Sequence, residues 1–200
     1  MAEIINIHSG EHKLMLLRNH DTDMEIFIED NASLKFFDLA NSIKSIKSEI
    51  CIAIHFEGEN SELLMRGRMQ GKDTDSILRN ILIDHKTPSC KSDIYYKYVL
   101  NDDAQGSFTG KVLVRQDSQK TESLLLNRNL CLTKTAHMHS EPLLEIYADD
   151  VKCSHGSSIG MLDENALFYM QQRGISLTDA RRLLIDAFIN EIQMPRLCIK

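Results

Sequence analysis

Glu145-Ile-Tyr-Ala-Asp-Asp-Val-Lys-Cys-Ser-His-Gly156 is the stretch on which the reading of this chain turns. It joins an apolar, strand-like segment to two adjacent carboxylates, a thiol and an imidazole. Before it the pattern is β-like throughout, and after it the apolar spacing becomes helical. The changeover therefore divides the chain into a β domain, residues 1–160, and a small helical subdomain, residues 161–200.

Upstream, short apolar runs alternate with turn formers. Leu14–Leu17, Met24–Ile28, Leu34–Phe37, Ile50–Phe56, Glu62–Arg66, Ser76–Ile83, Ile94–Leu100, Ser107–Val114, Thr121–Leu126 and Leu143–Tyr147 are separated by Asp, Asn, Ser, Gly and His. A helix would need apolar positions sustained at about 3.6-residue spacing, so these runs read as strands. Regularly spaced strands without a long helix predict a sandwich, a barrel or a β-solenoid, and no strict side-chain repeat chooses among them. Two features lean toward the solenoid. Ile50–Phe56 is nearly continuous in apolar residues, the pattern of parallel strands covered on both sides, and polar tetrapeptides such as Glu57-Gly-Glu-Asn60 provide corners. No Asn-Gly pair marks an antiparallel hairpin. Pro142 cannot donate to a ladder, so it is expected at the first position of the strand Leu143–Tyr147 or in the corner before it, and Pro88 marks another corner.

Downstream, Asp163 is placed to cap a helix whose first turn carries Glu164 and whose apolar stripe is Leu167, Phe168 and Met170. Gly174, after Arg173, is the expected stop. Ser176 opens a second helix with Asp179 three residues on, a capping box that uses the shorter acid. Leu177, Ala180, Leu184, Ala187 and Phe188 follow at helical spacing, Ile185, Ile189 and Ile192 form a second apolar flank, and Pro195 ends the pattern. Such a helix is either buried on two sides, within this chain or a homodimer, or it offers a face to another protein in a helix-in-groove mode.

Composition narrows the function. The 200 residues are 42% hydrophobic, which suits a globular core, and the formal net charge of −6 argues against binding a phosphate backbone. No apolar run approaches the ~18 residues of a membrane span, and Met-Ala-Glu-Ile-Ile-Asn lacks a signal-peptide pattern, so a cytoplasmic location is expected. Cys51, Cys90, Cys131, Cys153 and Cys198 are an odd set without close pairs, as befits reduced thiols.

Asp149 and Asp150 point to opposite sides of an extended chain, which suits a solvated corner better than a catalytic carboxylate pair. A Ser154-His155-Asp150 triad lacks the Gly-flanked elbow that exposes a nucleophile. No Gly-rich phosphate loop is present, and no catalytic residue is assigned. Cys153 and His155 alternate across one residue and so share a face in an extended segment, and thiolate and imidazole are both iron ligands. The competing reading is a small core cysteine and a histidine bonded within a turn. His85 with Cys90, and His137 with His139, are two further half-sites, both read as surface corners.

A resemblance joins these residues. Leu144–Gly156, with Gly160-Met-Leu-Asp-Glu164 and Leu167-Phe-Tyr-Met-Gln-Gln-Arg-Gly174 behind it, resembles the C-terminal part of SufD, in the SufB/SufD family of iron–sulfur cluster assembly scaffolds. The likeness reaches back through Thr121-Glu-Ser-Leu-Leu-Leu-Asn-Arg-Asn129 and Asp84-His-Lys-Thr-Pro-Ser-Cys90. It implies a right-handed parallel β-helix followed by the helical subdomain, and a scaffold without turnover of its own. It further implies pairing with a SufB-like subunit through strands near Asn127–Tyr147, and docking of a SufC-like ATPase through Asp163, Glu164, Phe168, Tyr169, Arg173, Leu184 and Phe188. His155, and with it Cys153, would meet a transient iron–sulfur cluster at the subunit interface. The helical N-terminal region of the family has no counterpart in this sequence, which fits a naturally short homologue and a fragment of a longer protein equally. Alternatives are a self-associating homodimer that binds metal or a cluster by itself, through open strand edges, or a short homologue with only a structural role.

Overall fold

A computed structural model describes residues 2–19, 22–41 and 47–193, so Pro195 and Cys198 lie outside the described residues. The described chain forms β1 (Glu3–Ile7), β2 (His12–Arg18), β3 (Met24–Ile28), β4 (Ser33–Asn41), β5 (Lys47–Phe56) and β6 (Glu62–Gly71). It continues with β7 (Ser76–His85), β8 (Lys91–Leu100), β9 (Gln105–Val114), β10 (Glu122–Cys131), β11 (His137–Ile146) and β12 (Lys152–Gly160). Two helices follow, α1 (Glu164–Gln172) and α2 (Leu177–Asn190).

Successive strands go to opposite sheets. The odd-numbered strands form one sheet in the order β1-β3-β5-β7-β9-β11, and the even-numbered strands form the other, β12-β10-β8-β6-β4-β2. Every pairing is parallel, so the chain is a flattened β-solenoid, the architecture that the resemblance implies. Each strand stacks on the one a full turn earlier, as in the ladder Glu62, Lys91, Glu122, Lys152. One set of corners is built by residues with positive φ, Asn31, Asn60, Ser89 and Lys120. Their N–H groups donate to the carbonyls of Glu59, Pro88, Gln119 and Asp150 on the next turn, so the corners stack as the strands do. Pro88 is a corner residue, as expected.

Packing inside follows the two-residue period. Ile50, Ile52, Ile54 and Phe56 are buried, whereas Cys51 is exposed and Ala53 and His55 are partly covered. The run is therefore not covered on both sides, as its sequence suggested; it is an alternating strand whose outward residues happen to be small or aromatic. Pro142 also departs from expectation, since it lies in the middle of β11. Among the described residues that strand ends its sheet and pairs only with β9, so a missing N–H on its open side breaks no ladder bond.

One ion pair interrupts the apolar interior. Arg79 and Asp38 are fully buried, with Arg79 Nε 2.7 Å from Asp38 Oδ2. Ser48 Oγ accepts from the guanidinium and the Tyr96 hydroxyl donates to Asp38, so the buried charges are hydrogen-bonded as burial requires. Gly67 makes room for Tyr96, because a Cβ there would fall 2.1 Å from the Tyr96 ring.

At the chain's far end Asp163 caps α1 by accepting from the Asn165 N–H. Gly174, at φ +84°, closes the helix in a Schellman turn: its N–H donates to Gln171 and that of Ile175 to Met170. Ser176 caps α2, and its hydroxyl donates to Asp179 Oδ2 while accepting from the Asp179 N–H, so the expected reciprocity runs through the hydroxyl. α2 rests on the outer face of the even-numbered sheet, and α1 packs on α2. No helix among the described residues is long and apolar enough to cross a membrane.

Candidate functional site

Among the described residues no turn stacks on the last turn of the solenoid: β11 pairs only with β9 and β12 only with β10, so two strand edges lie open side by side. Two inward register positions that are core elsewhere are open here: Ile146 and Ile159 are 41% and 52% exposed, and Tyr147, Leu143 and Met161 add to the apolar surface at this end. An open strand edge leaves unpaired backbone groups to which another strand can add, and apolar side chains beside it favour being covered.

His155 lies on β12 at the register position of Leu125, and Cys153 at that of Ser123. Both partners are buried inward residues, so thiol and imidazole share the inner face, as the spacing predicts. Their environments differ. His155 is exposed, and its Nδ1 lies 3.1 Å from the Pro142 carbonyl of β11. A carbonyl only accepts, so Nδ1 is the donor, and in the neutral imidazole the lone pair is then on Nε2, the nitrogen left for any metal contact. Cys153 packs partly into the core, and burial raises its thiol pKa against the opposing hydrogen bond from the Ser123 backbone. The thiol is protonated at neutral pH and becomes a ligand only if a metal displaces its proton.

Polar residues that sequence reasoning did not single out tie the two open strands together. Ser140 Oγ of β11 lies 2.7 Å from Ser157 Oγ of β12 and donates to Asn127 Oδ1 at 2.6 Å. Asn127 Oδ1 also accepts from Asn129 Nδ2 at 2.6 Å. The inward period-two positions carry the only sequence signal for this set, and it becomes readable once β11 is known to start at His137 rather than at Leu143. Among the described residues no three His, Cys, Asp or Glu side chains gather to hold a metal ion, so ligands beyond Cys153 and His155 would have to come from outside this group.

The other half-sites do not assemble. His85 and Cys90 are buried rather than at the surface. His85 stacks on Phe56 with centroids 4.3 Å apart and bonds Ser92 through Nε2, and Cys90 donates to the Gly58 carbonyl. Both are structural, because the corner around Pro88 folds inward over the core. His137 and His139 lie on the exposed face of β11, in a strand rather than a corner. Asp149 and Asp150 form the expected exposed corner, where the Asp150 N–H donates to Gln119.

On the helical subdomain, Phe168 and Tyr169 are 63% and 60% exposed. Arg173 lies over the Tyr169 ring and donates to its hydroxyl at 3.0 Å, and Glu164 is exposed nearby. Asp163 is committed to capping α1, Leu184 is half-buried, and Phe188 turns toward the sheet. The seven candidate docking residues therefore separate into an outer group and an inner one.

Comparison with known proteins bears on this arrangement. Residues 20–188 match the family described as SUF system FeS cluster assembly, SufBD core domain. An iron–sulfur cluster assembly SufBD family protein of Synechocystis is 40% identical over 141 residues, 70% of this chain and 31% of its own length. The iron–sulfur cluster assembly protein SufD of Escherichia coli is 36% identical over 135 residues, 68% of this chain and 32% of its own. The chloroplastic protein ABCI7 of Arabidopsis thaliana is 41% identical over 112 residues, 56% of this chain and 23% of its own. The matched region is thus about a third or less of each of these relatives.

Proposed function

Because this chain belongs to the SufBD family of iron–sulfur cluster assembly proteins, we propose that it is a SufD-like scaffold subunit with no turnover of its own. Its open turn pairs with a SufB-like subunit, and the cluster is cargo that forms at the seam. The observation that carries this reading is His155. It stands between two unpaired strand edges, with Nδ1–H held by Pro142 and Nε2 turned free. An incoming strand set would cover the exposed Ile146, Tyr147 and Ile159 and bring its own ligands to within reach of Nε2. Cys153 supports the same site from behind, as a thiol partly withdrawn into the core.

The α1–α2 pair is the docking unit for a SufC-like ATPase. Phe168, Tyr169, Arg173 and Glu164 would make the direct contacts, while Leu184 and Phe188 shape the helix beneath them. A solvent-facing aromatic pair with a stacked arginine is the composition of an interface anchor.

The test is co-purification of the chain with SufB-like and SufC-like proteins from the same source, with His155→Ala beside wild type and assays of iron and acid-labile sulfide. The expected result is an intact complex in both cases, with cluster lost only in the variant. A chain that ignores both partners, or that carries stoichiometric cluster alone as a homodimer, would defeat the proposal.

A further inference from the structure

Helix α2 meets the solenoid at one small patch. Ile189 is buried, and Ile185 and Phe188 are half-buried, against Val99, Leu130, Leu132 and Leu162. This cluster is separate from the solenoid core. Beneath the helix lies Lys97, on the outward face of β8, with no exposed side-chain surface. An ammonium withdrawn from water is costly unless its donors are used.

Lys97 Nζ donates to the Phe188 carbonyl at 2.6 Å and to the Glu191 carboxylate, and it lies 4.1 Å from the centre of the Phe188 ring. Tyr95, on its own strand, offers a second ring at 5.3 Å. The two acceptors and the nearer ring all belong to α2 or its cap. Phe188 is in the last turn, where carbonyls lack helical partners and a cation is favoured. Arg128 flanks Glu191 at 3.8 Å, and Arg68 faces Asp186 of the same helix. Burial lowers the pKa of Lys97 and Glu191 opposes that, the balance expected of a charge satisfied only while the helix is seated.

We propose that Lys97 is a positioning residue that latches α2 to the solenoid, and that α1 and α2 lift off as one unit when this contact opens. Glu191 is half-exposed, so the charge pair comes near break-even against water. The Phe188 carbonyl and the Phe188 ring, both given up when the helix lifts, therefore supply most of what Lys97 adds to the seating of α2. The inference deepens the reading of α1–α2 as the ATPase-docking unit, because Lys97, Arg128 and Ser158 are register partners on β8, β10 and β12. Lys97 thus sets where that unit stands relative to the strand that carries His155.

Hydrogen exchange of the full chain, followed by mass spectrometry, tests it with Lys97→Ala and Lys97→Met. Amides of α1 and α2 are expected to exchange together, about tenfold faster in both variants, while β5 to β9 keep wild-type protection. Wild-type protection in Lys97→Met would mean that the aliphatic stem holds the helix and would overturn the proposal. So would an equal acceleration in the solenoid strands, which would make Lys97 an ordinary stability residue. Failure of the wild-type chain to bind the ATPase, with the variants exchanging as expected, would instead remove the docking reading and leave the latch standing.

Discussion

His85 shows how much a single buried residue can control. It lies fully inside, stacked on Phe56, with Nε2 bonded to Ser92 and no partner for Nδ1 among the described residues. Burial pushes its pKa down to about 4, against 6.5 in the open chain. As pH falls through 6.5 the unfolded state takes up the proton first. Stability is therefore intact above 6.5 and declines until the folded state also protonates near pH 4, a loss of roughly 3 kcal/mol. Asp84, held low by Arg115, contributes its own loss as pH falls, so the measurement is a difference. Urea denaturation from pH 7 to 4 should show a shallower decline for His85→Gln than for wild type; parallel curves would refute the assignment. Sequence placed His85 at the surface because a Pro follows three residues later, which reads as a corner. Whether a corner folds out or in depends on the turn stacked beneath it, here Phe56, and no local pattern reports that. The Arg79–Asp38 pair was hidden for the same reason: its members are 41 residues apart.

Elements were more legible than residues, because their signals are local. Capping residues Asp163 and Ser176 and the stop at Gly174 do what their side chains and the missing Cβ dictate. The strand runs also emerged, but β1 was passed over, since Ile4 and Ile5 are too short a run to signal a strand, and the first half of β11 was hidden by Pro142. The turn-by-turn stacking was invisible too, because it repeats backbone register and not side-chain identity. Gly174 supplies the element-scale prediction. Replacing it with Ala forces a Cβ into φ +84° and should cost about 1 kcal/mol, confined to the α1–α2 junction. Gly160→Ala, with nothing within 4 Å of the added methyl and no positive φ, is the neutral control. Faster exchange at the Gly174 and Ile175 amides in the first variant alone is the expected result, and equal behaviour of the two would refute the account.

At the scale of the whole molecule the two ends of the solenoid pose one problem, since each ends in unpaired strands. Ile4 and Leu14 are exposed at the β1–β2 end, and Ile146 and Ile159 at the β11–β12 end. Sequence indicated that edges would exist, but it could not say that His155 and the Pro142 carbonyl meet there, because that contact joins strands of different sheets. If the β11–β12 end is the seam, a charge placed on it should block pairing and leave the fold alone. Ile159→Lys meets both conditions: the residue is 52% exposed, so its change costs little, and a lysine on an edge strand opposes strand addition. Ile4→Lys makes the same change at the opposite end, where the native residue is 65% exposed. Sedimentation velocity with a SufB-like subunit should show the complex lost with Ile159→Lys and kept with Ile4→Lys, while both variants melt as wild type does. Loss of pairing with Ile4→Lys alone would move the seam to the other end and separate His155 from the subunit interface.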